Sequence, residues 1–392
     1  MKKHTLSALI SLSLSVGYIS STNAGQQYFQ SRSDAMGGTG VASAHYLSAP
    51  LMNPALLARF SHTDNVGILL PAIGAQIDDN SDTIDSINTA SDLINELNKY
   101  NSNSPQARAT ARQLANELEM LDNEKIPVQV GLAGVIAVPN ETVSFALFTN
   151  TYLDLQVAAD ISDSDIQALR GQNPAAIDEL DSTITLHGVG VTDLGISLAS
   201  KFILGNTPVY VGLSPKVQAI GFYQYTDSID NFDASNLEKD GTMDDDVAFN
   251  IDAGFVVEPN KHFTFGLVAK NMLEHQVSNA SETFRYEIKP QITTGFALHS
   301  EWLTAAVDID ITQSDTLSNK KPSQYTRLGA EMDAWGWLQF RGGFRYDLND
   351  NDSNQITFGM GLSPFSILHI DLTGMLSEDE TYGFVAQTAL TF

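Results

Sequence analysis

The 392-residue chain contains no cysteine. That absence removes disulfides, thiolate nucleophiles, cysteine-ligated metals and N-terminal lipid attachment from consideration. Positive charge is scarce as well: 21 Lys and Arg stand against 47 Asp and Glu, for a net charge of −26. A nucleic-acid partner is thereby excluded, because displacing counterions from phosphates needs a basic surface. The acidity points either to divalent cations near a charged surface or simply to solvated loops. Long apolar runs are also missing, and no stretch supplies the roughly 20 apolar residues of a membrane-spanning helix. The run from Leu6 to Ile19 is broken by four serines. It follows Lys2 and Lys3 and precedes Thr22 and Ala24, the small residues of a cleavage site before Gly25, so residues 1–24 read as a secretory signal peptide.

What the chain does have is period two. Fourteen candidate strands begin near 65, 127, 142, 183, 208, 246, 262, 283, 302, 323, 336, 355, 366 and 381. In "FRYEIKPQITTGFAL", Phe284, Tyr286, Ile288, Ile292, Phe296 and Leu298 oppose Arg285, Glu287, Lys289, Gln291 and Thr293. In "LTAAVDIDI", Leu303, Val307, Ile309 and Ile311 oppose Asp308 and Asp310. Alternation alone does not separate a soluble sandwich from a membrane barrel, but the connections do. They are tight after even-numbered strands ("PNET", "LGNTP", "EPNK", "HSE", "AWG", "PFS") and mostly long and acidic after odd-numbered ones. Short turns at one end, long loops at the other and an even strand count predict an all-β, transmembrane antiparallel barrel of about 14 strands over residues 63–392. Closure is required because unpaired backbone groups in hydrocarbon cost several kcal/mol each.

Other features fit that cylinder. Trp302, Trp335 and Trp337 all fall at short turns, as an interfacial aromatic girdle requires. The last stretch, "TYGFVAQTALTF", puts Tyr382, Phe384, Leu390 and Phe392 on one face. It resembles the C-terminal signal read by the barrel-assembly machinery, which makes that machinery and outer-membrane lipid expected partners. Inward faces carry Arg285, Lys289, Arg327, Arg341 and Arg345 interleaved with Glu287, Asp308, Asp310, Glu331 and Asp371. These form either an ion-pair lattice that fills space or a selectivity lining.

The first outer loop carries helical signals at 82–122. Ile84, Ile87, Ile94 and Leu97 recur at helical spacing. Beyond them Ser104 caps, Pro105 opens, and Ala107, Ala111, Leu114, Leu118 and Leu121 form a stripe. A helical hairpin over the barrel mouth is expected, acting as a lid, a partner dock or a self-packed loop, with a shorter helical excursion at 163–180.

Residues 25–62 are not strand-like. They contain "DAMGGTGVASA", with Gly37, Gly38 and Gly40, and "NPALLARF", with Asn53, Pro54 and Ala55. The order of signal peptide, these two motifs and then a barrel resembles the FadL-like group of outer-membrane proteins. Within it, "FTFGLVAKNMLEHQV" and "QYTRLGAEMDAWGWLQFRGGFRYDL" most resemble the conjugal transfer TraF-like barrels. The resemblance implies an N-terminal plug, or hatch, occluding the lumen, with Gly37, Gly38, Asn53, Pro54 and Ala55 at the matching positions. It implies transport of hydrophobic small molecules or, as in other members, a binding platform in the envelope serving conjugation or secretion.

Catalytic patterns are weak. The eight histidines are scattered and no HExxH spacing appears. "DLNDNDSNQ" lacks the central glycine and distal glutamate of a calcium loop. No enzymatic activity, metal or cofactor is expected.

Overall fold

The computed structural model describes residues 29–79, 83–100, 104–122, 124–171, 180–229, 242–278, 285–314, 322–377 and 381–392. The signal-peptide expectation lies outside them. Fourteen antiparallel strands close into one barrel. The first six are β1 (Gly67–Asp78), β2 (Lys125–Val138), β3 (Ser144–Asp160), β4 (Thr183–Leu204), β5 (Thr207–Ser228) and β6 (Thr242–Asn260). After β7 (Phe263–Lys270) come β8 (His275–Ser278) and β9 (Arg285–Ile288), which pair only with each other. The wall resumes with β10 (Gln291–His299), β11 (Leu303–Asp310), β12 (Tyr325–Ala334) and β13 (Leu338–Asp347). It ends with β14 (Gln355–Leu362), β15 (Leu368–Ser377) and β16 (Thr381–Thr391).

The alternation does what period two requires. Leu194, Ile196 and Leu198 of β4 and Leu213 and Val217 of β5 are exposed on the outer face. Between them Asp193, Ser197, Ser214 and Lys216 point inward and are buried. The seam joins β1 to β16 from Gly67↔Thr391 to Asp78↔Thr381, with a register shift between Leu69 and Ile73. Phe392 donates its amide to Val66 O at 2.9 Å and accepts from Asn65 N at 2.6 Å, so the final residue is stitched into the closure.

Trp302, Trp335, Trp337, Phe263, Phe365 and Phe392 are all exposed at the short-turn rim. Trp335 and Phe365 occupy left-handed backbone at φ 59° and 62°. Trp335 and Trp337 stack with centroids 6.2 Å apart.

Wall height is uneven. β4 and β5 each have 22 residues, whereas β7 and β11 have 8. At about 3.3 Å per residue and a tilt near 40°, the long pair rises roughly 55 Å, about twice the ~25 Å apolar band of such barrels. Beyond that band, outward-facing Val128, Leu155, Leu186 and Tyr225 are buried rather than exposed, and Ile87 packs against them.

Ile87 belongs to α3 (Thr83–Leu97), which follows two short helices near the N-terminus, α1 (Ser31–Ala35) and α2 (Ala49–Met52). With α4 (Pro105–Leu121) and α5 (Asp163–Arg170), α3 forms a separate apolar cluster. Ser104 Oγ accepts from Ala107 N at 3.0 Å, and Ala107, Ala111, Leu114, Leu118 and Leu121 are all buried, as the spacing predicts. The helices thus form a self-packed unit whose α3 leans on the outer face of the tall wall. The side chain of Ile84 and residues 172–179 lie outside the described set.

One expected strand is corrected. The strand expected from near 283 is not one continuous barrel strand over the described residues 285–298. The chain leaves the wall after Lys270 through Asn271, at φ 51°, makes the β8–β9 hairpin, and rejoins at Gln291, which pairs with Lys270.

Candidate functional site

Residues 29–60 lie inside the barrel. Phe29 is fully buried where Gly74 of β1 and Gly131 of β2 leave room for its ring. Across the lumen, the Met36–Gly37 backbone runs so close to Gly343 of β13 that a Cβ there would overlap it. Gly37 itself is at φ 71°, so glycine is needed on both sides of this contact.

The segment is tied to the wall by polar contacts around most of its circumference. Asp308 Oδ2 accepts from Gly40 N at 2.7 Å and Val41 N at 2.9 Å. Arg32 makes a two-pronged pair with Glu331, both bonds at 2.8 Å. Glu331 also receives Arg341 Nε at 2.7 Å, and Arg341 reaches on to Asp371. Thr357 Oγ1 accepts from Gly37 N and donates to Ala35 O. Lys270 Nζ donates to Leu51 O at 2.7 Å. Burial lifts the carboxyl of Asp34 to about 7, against the opposing pull of the Gln30 amide and the Arg345 charge.

Asn53 organises the second motif. Its Oδ1 caps Ala55 N at 3.1 Å, opening the 3-10 turn Pro54–Ala58, while its Nδ2 donates to Val41 O at 2.7 Å. The turn is fully buried and lies against Gly212 of β5 and Gly254 of β6, where a side chain would collide with Asn53–Ala55. The motif residues are therefore a packing joint between segment and wall.

The expected lattice divides. Asp308, Glu331, Arg341 and Asp371 are linked to the segment directly or through each other. Arg327 pairs with Asp310 at 2.7 and 2.9 Å beside Gly38. Arg345 lies over the Tyr325 ring and 3.8 Å from Asp352. Glu287 and Lys289 pair at 2.7 Å, but on or just beyond the β8–β9 hairpin, so they are not wall residues. Arg285 begins β9, and its side chain lies outside the described set.

Two cavities flank the segment. One of about 130 Å³ lies toward the long loops among Asp34, Lys270, Asp310, Arg327 and Arg345. The other, about 340 Å³, lies toward the short-turn rim among Arg32, His45, Arg59, His299, Glu331 and His369. Three scattered histidines thus meet at one chamber, which the linear sequence conceals. Among the described residues, no group of three or more His, Asp or Glu is placed to hold a metal ion.

Sequence reasoning also missed a buried network on the tall wall. Lys216 Nζ lies 3.1 Å from both Asp193 and Asp252, with Lys216 and Asp193 fully buried. Gln218 donates to Asp193 at 2.8 Å and accepts from Asn250 at 2.8 Å. Strand parity in "YVGLSPKVQAI" was the available signal, since it puts Lys216 and Gln218 on the inner face. The network holds the root of the hairpin: Asp252 accepts from Asn271 N at 2.8 Å, and Asn250 exchanges bonds with Leu273. Beyond it the inner wall carries an apolar patch, with Asp246 beside it. Val189, Val191, Ile220, Phe222 and Ala248 cluster with Val277, Tyr286 and Ile288 of the hairpin.

Residues 50–310 match the family model described as "F plasmid transfer operon, TraF, protein". The chain belongs to this family. No curated protein matches it in sequence. Solved structures match over nearly the whole chain. The toluene transporter TodX of P. putida aligns at a TM-score of 0.53 and 12% identity, covering 93% of this chain and 99% of its own. A FadL homologue of Pseudomonas aeruginosa aligns at 0.56 and 12%, covering 95% and 99%. A deletion mutant of the TodX monoaromatic hydrocarbon channel aligns at 0.52 and 10%, covering 93% and 98%. This member of the TraF family therefore has the fold of FadL-like outer-membrane barrels.

Proposed function

We propose that the protein is an outer-membrane barrel of a Gram-negative bacterium for uptake of small hydrophobic molecules, closed at rest by its own N-terminal plug. The observation that carries the reading is the change in lumen chemistry. Above an ion-paired segment, the inner face of β4–β6 turns from Lys216, Gln218 and Asn250 to Val191, Ile220 and Phe222. An apolar surface inside a lumen suits an apolar solute. Support comes from the shared fold, whose solved examples include a toluene transporter and a hydrocarbon channel. No enzymatic step is part of this reading.

A second reading has its own support. Charged side chains line both flanking cavities, and the plug is held by Asp308, Glu331 and Thr357, as suits a sealed envelope component. The family description ties such a component to plasmid transfer. The test is accumulation of radiolabelled toluene by otherwise identical cells with and without the chain in their outer membrane. Uptake is expected to rise several-fold with the chain. Equal uptake, together with lost plasmid transfer on deletion, would establish the second reading instead.

A further inference from the structure

The β8–β9 hairpin stands where a bound solute would stand. It leaves the wall at Asn271 and turns into the lumen, and its Val277, Tyr286 and Ile288 are 7%, 2% and 2% exposed. What covers them is the apolar inner patch of Val189, Val191, Ile220, Phe222 and Ala248. Those five residues come from three adjacent strands, and the polar network of Lys216, Gln218 and Asn250 lies directly below them. The patch is thus a bounded apolar site with a polar floor and Asp246 at its β6 edge.

The occupant is weakly built. Among the described residues, β8 and β9 pair with each other and not with the barrel. A two-stranded ribbon without further strands is marginal by itself. Its ties to the wall include its three apolar side chains, the bonds of Asn271 and Leu273 at its root, and His275 of β8, whose Nε2 lies 3.0 Å from Asp246 of β6. Among the described residues, the β7-facing edge of β6 beyond Ala253 pairs with no wall strand and meets this root at Met272 N to Ile251 O, 3.0 Å.

We infer that the inner-wall patch of β4–β6 is the binding site for a small apolar, aromatic-sized molecule, and that the β8–β9 hairpin is its built-in competitor. This rests on the uptake reading and locates it: Tyr286 and Ile288 mimic the solute and withdraw when it enters. The hairpin is then a second closure, independent of the N-terminal plug.

The test is photolabelling of the full-length protein, reconstituted in phosphatidylethanolamine vesicles, with a small uncharged aryl diazirine, followed by peptide mapping. The readout is label at inward Phe222 relative to label at outward, exposed Phe249 of β6, which corrects for probe dissolved in lipid. Trimming the competitor with Tyr286→Ala/Ile288→Ala is expected to raise that ratio at least five-fold, and excess toluene to reverse the rise. Ile288→Ala alone, the milder change, is expected to give about a two-fold rise and serves if the double variant does not assemble. An unchanged ratio in an assembled variant overturns the inference, as does a rise that toluene does not reverse. The uptake reading is judged separately by toluene accumulation with the native chain, so an unchanged ratio beside chain-dependent accumulation rejects the hairpin's role alone.

Discussion

Lys216 illustrates how much a single inward side chain carries. Its ammonium is fully buried between two carboxylates, with Gln218 completing the hydrogen bonding. Such an ion group gains little over an apolar packing of equal volume, but losing one member strands the rest. Lys216→Ala leaves Asp193 and Asp252 facing each other without their shared cation. It is expected to destabilise the barrel by about 3–5 kcal/mol, measured by urea unfolding in lipid vesicles. The doubly substituted Lys216→Met/Asp193→Leu should recover part of the loss, because it removes charge on both sides.

Among the elements, α4 offers the clearest local test. Ser104 Oγ caps Ala107 N, so Ser104→Ala should cost about 1 kcal/mol of local helix stability and leave the barrel unchanged. Faster amide exchange at the start of α4, with unaltered exchange in β4, is the expected result. The same helix was legible in the sequence because cap, proline and stripe agree. Wall strands were legible because inward and outward faces alternate over eight or more residues. The β8–β9 hairpin was not: Arg285–Ile288 alternates in phase with Gln291–His299, and periodicity does not report which strand is a neighbour. Pro290 between them was the overlooked sign, since proline disfavours the interior of a paired strand. The candidate site was half visible. Gly37, Gly38 and Asn53 stood out by motif, and Asp308, Glu331 and Arg341 by parity. The joining of Asp308 to Gly40 and Val41, and of Glu331 to Arg32, needed the fold, because each of these contacts spans more than two hundred residues.

For the whole molecule, closure is the decisive event. β1 and β16 come from opposite ends of the described chain, so the seam forms only when both are available, and Phe392 is bonded to Asn65 and Val66 within it. Deleting Phe392 removes those bonds together with the terminal aromatic. It should reduce the folded, heat-modifiable form in the outer membrane at least several-fold, as gel mobility with and without boiling would reveal. Normal assembly of the deletion would count against a role for this terminus in delivery.

The unequal strand lengths set a direction as well as a height. With 22 residues in β4 and 8 in β7, the difference of 14 residues amounts to roughly 35 Å of wall. The mouth is therefore cut on a slant, tall on the side of α3 and low on the side of β7 and β11. On the uptake proposal, a solute spreading along the membrane surface would meet a low sill on one side and a cliff on the other, so the compass bearing of its approach would matter to entry.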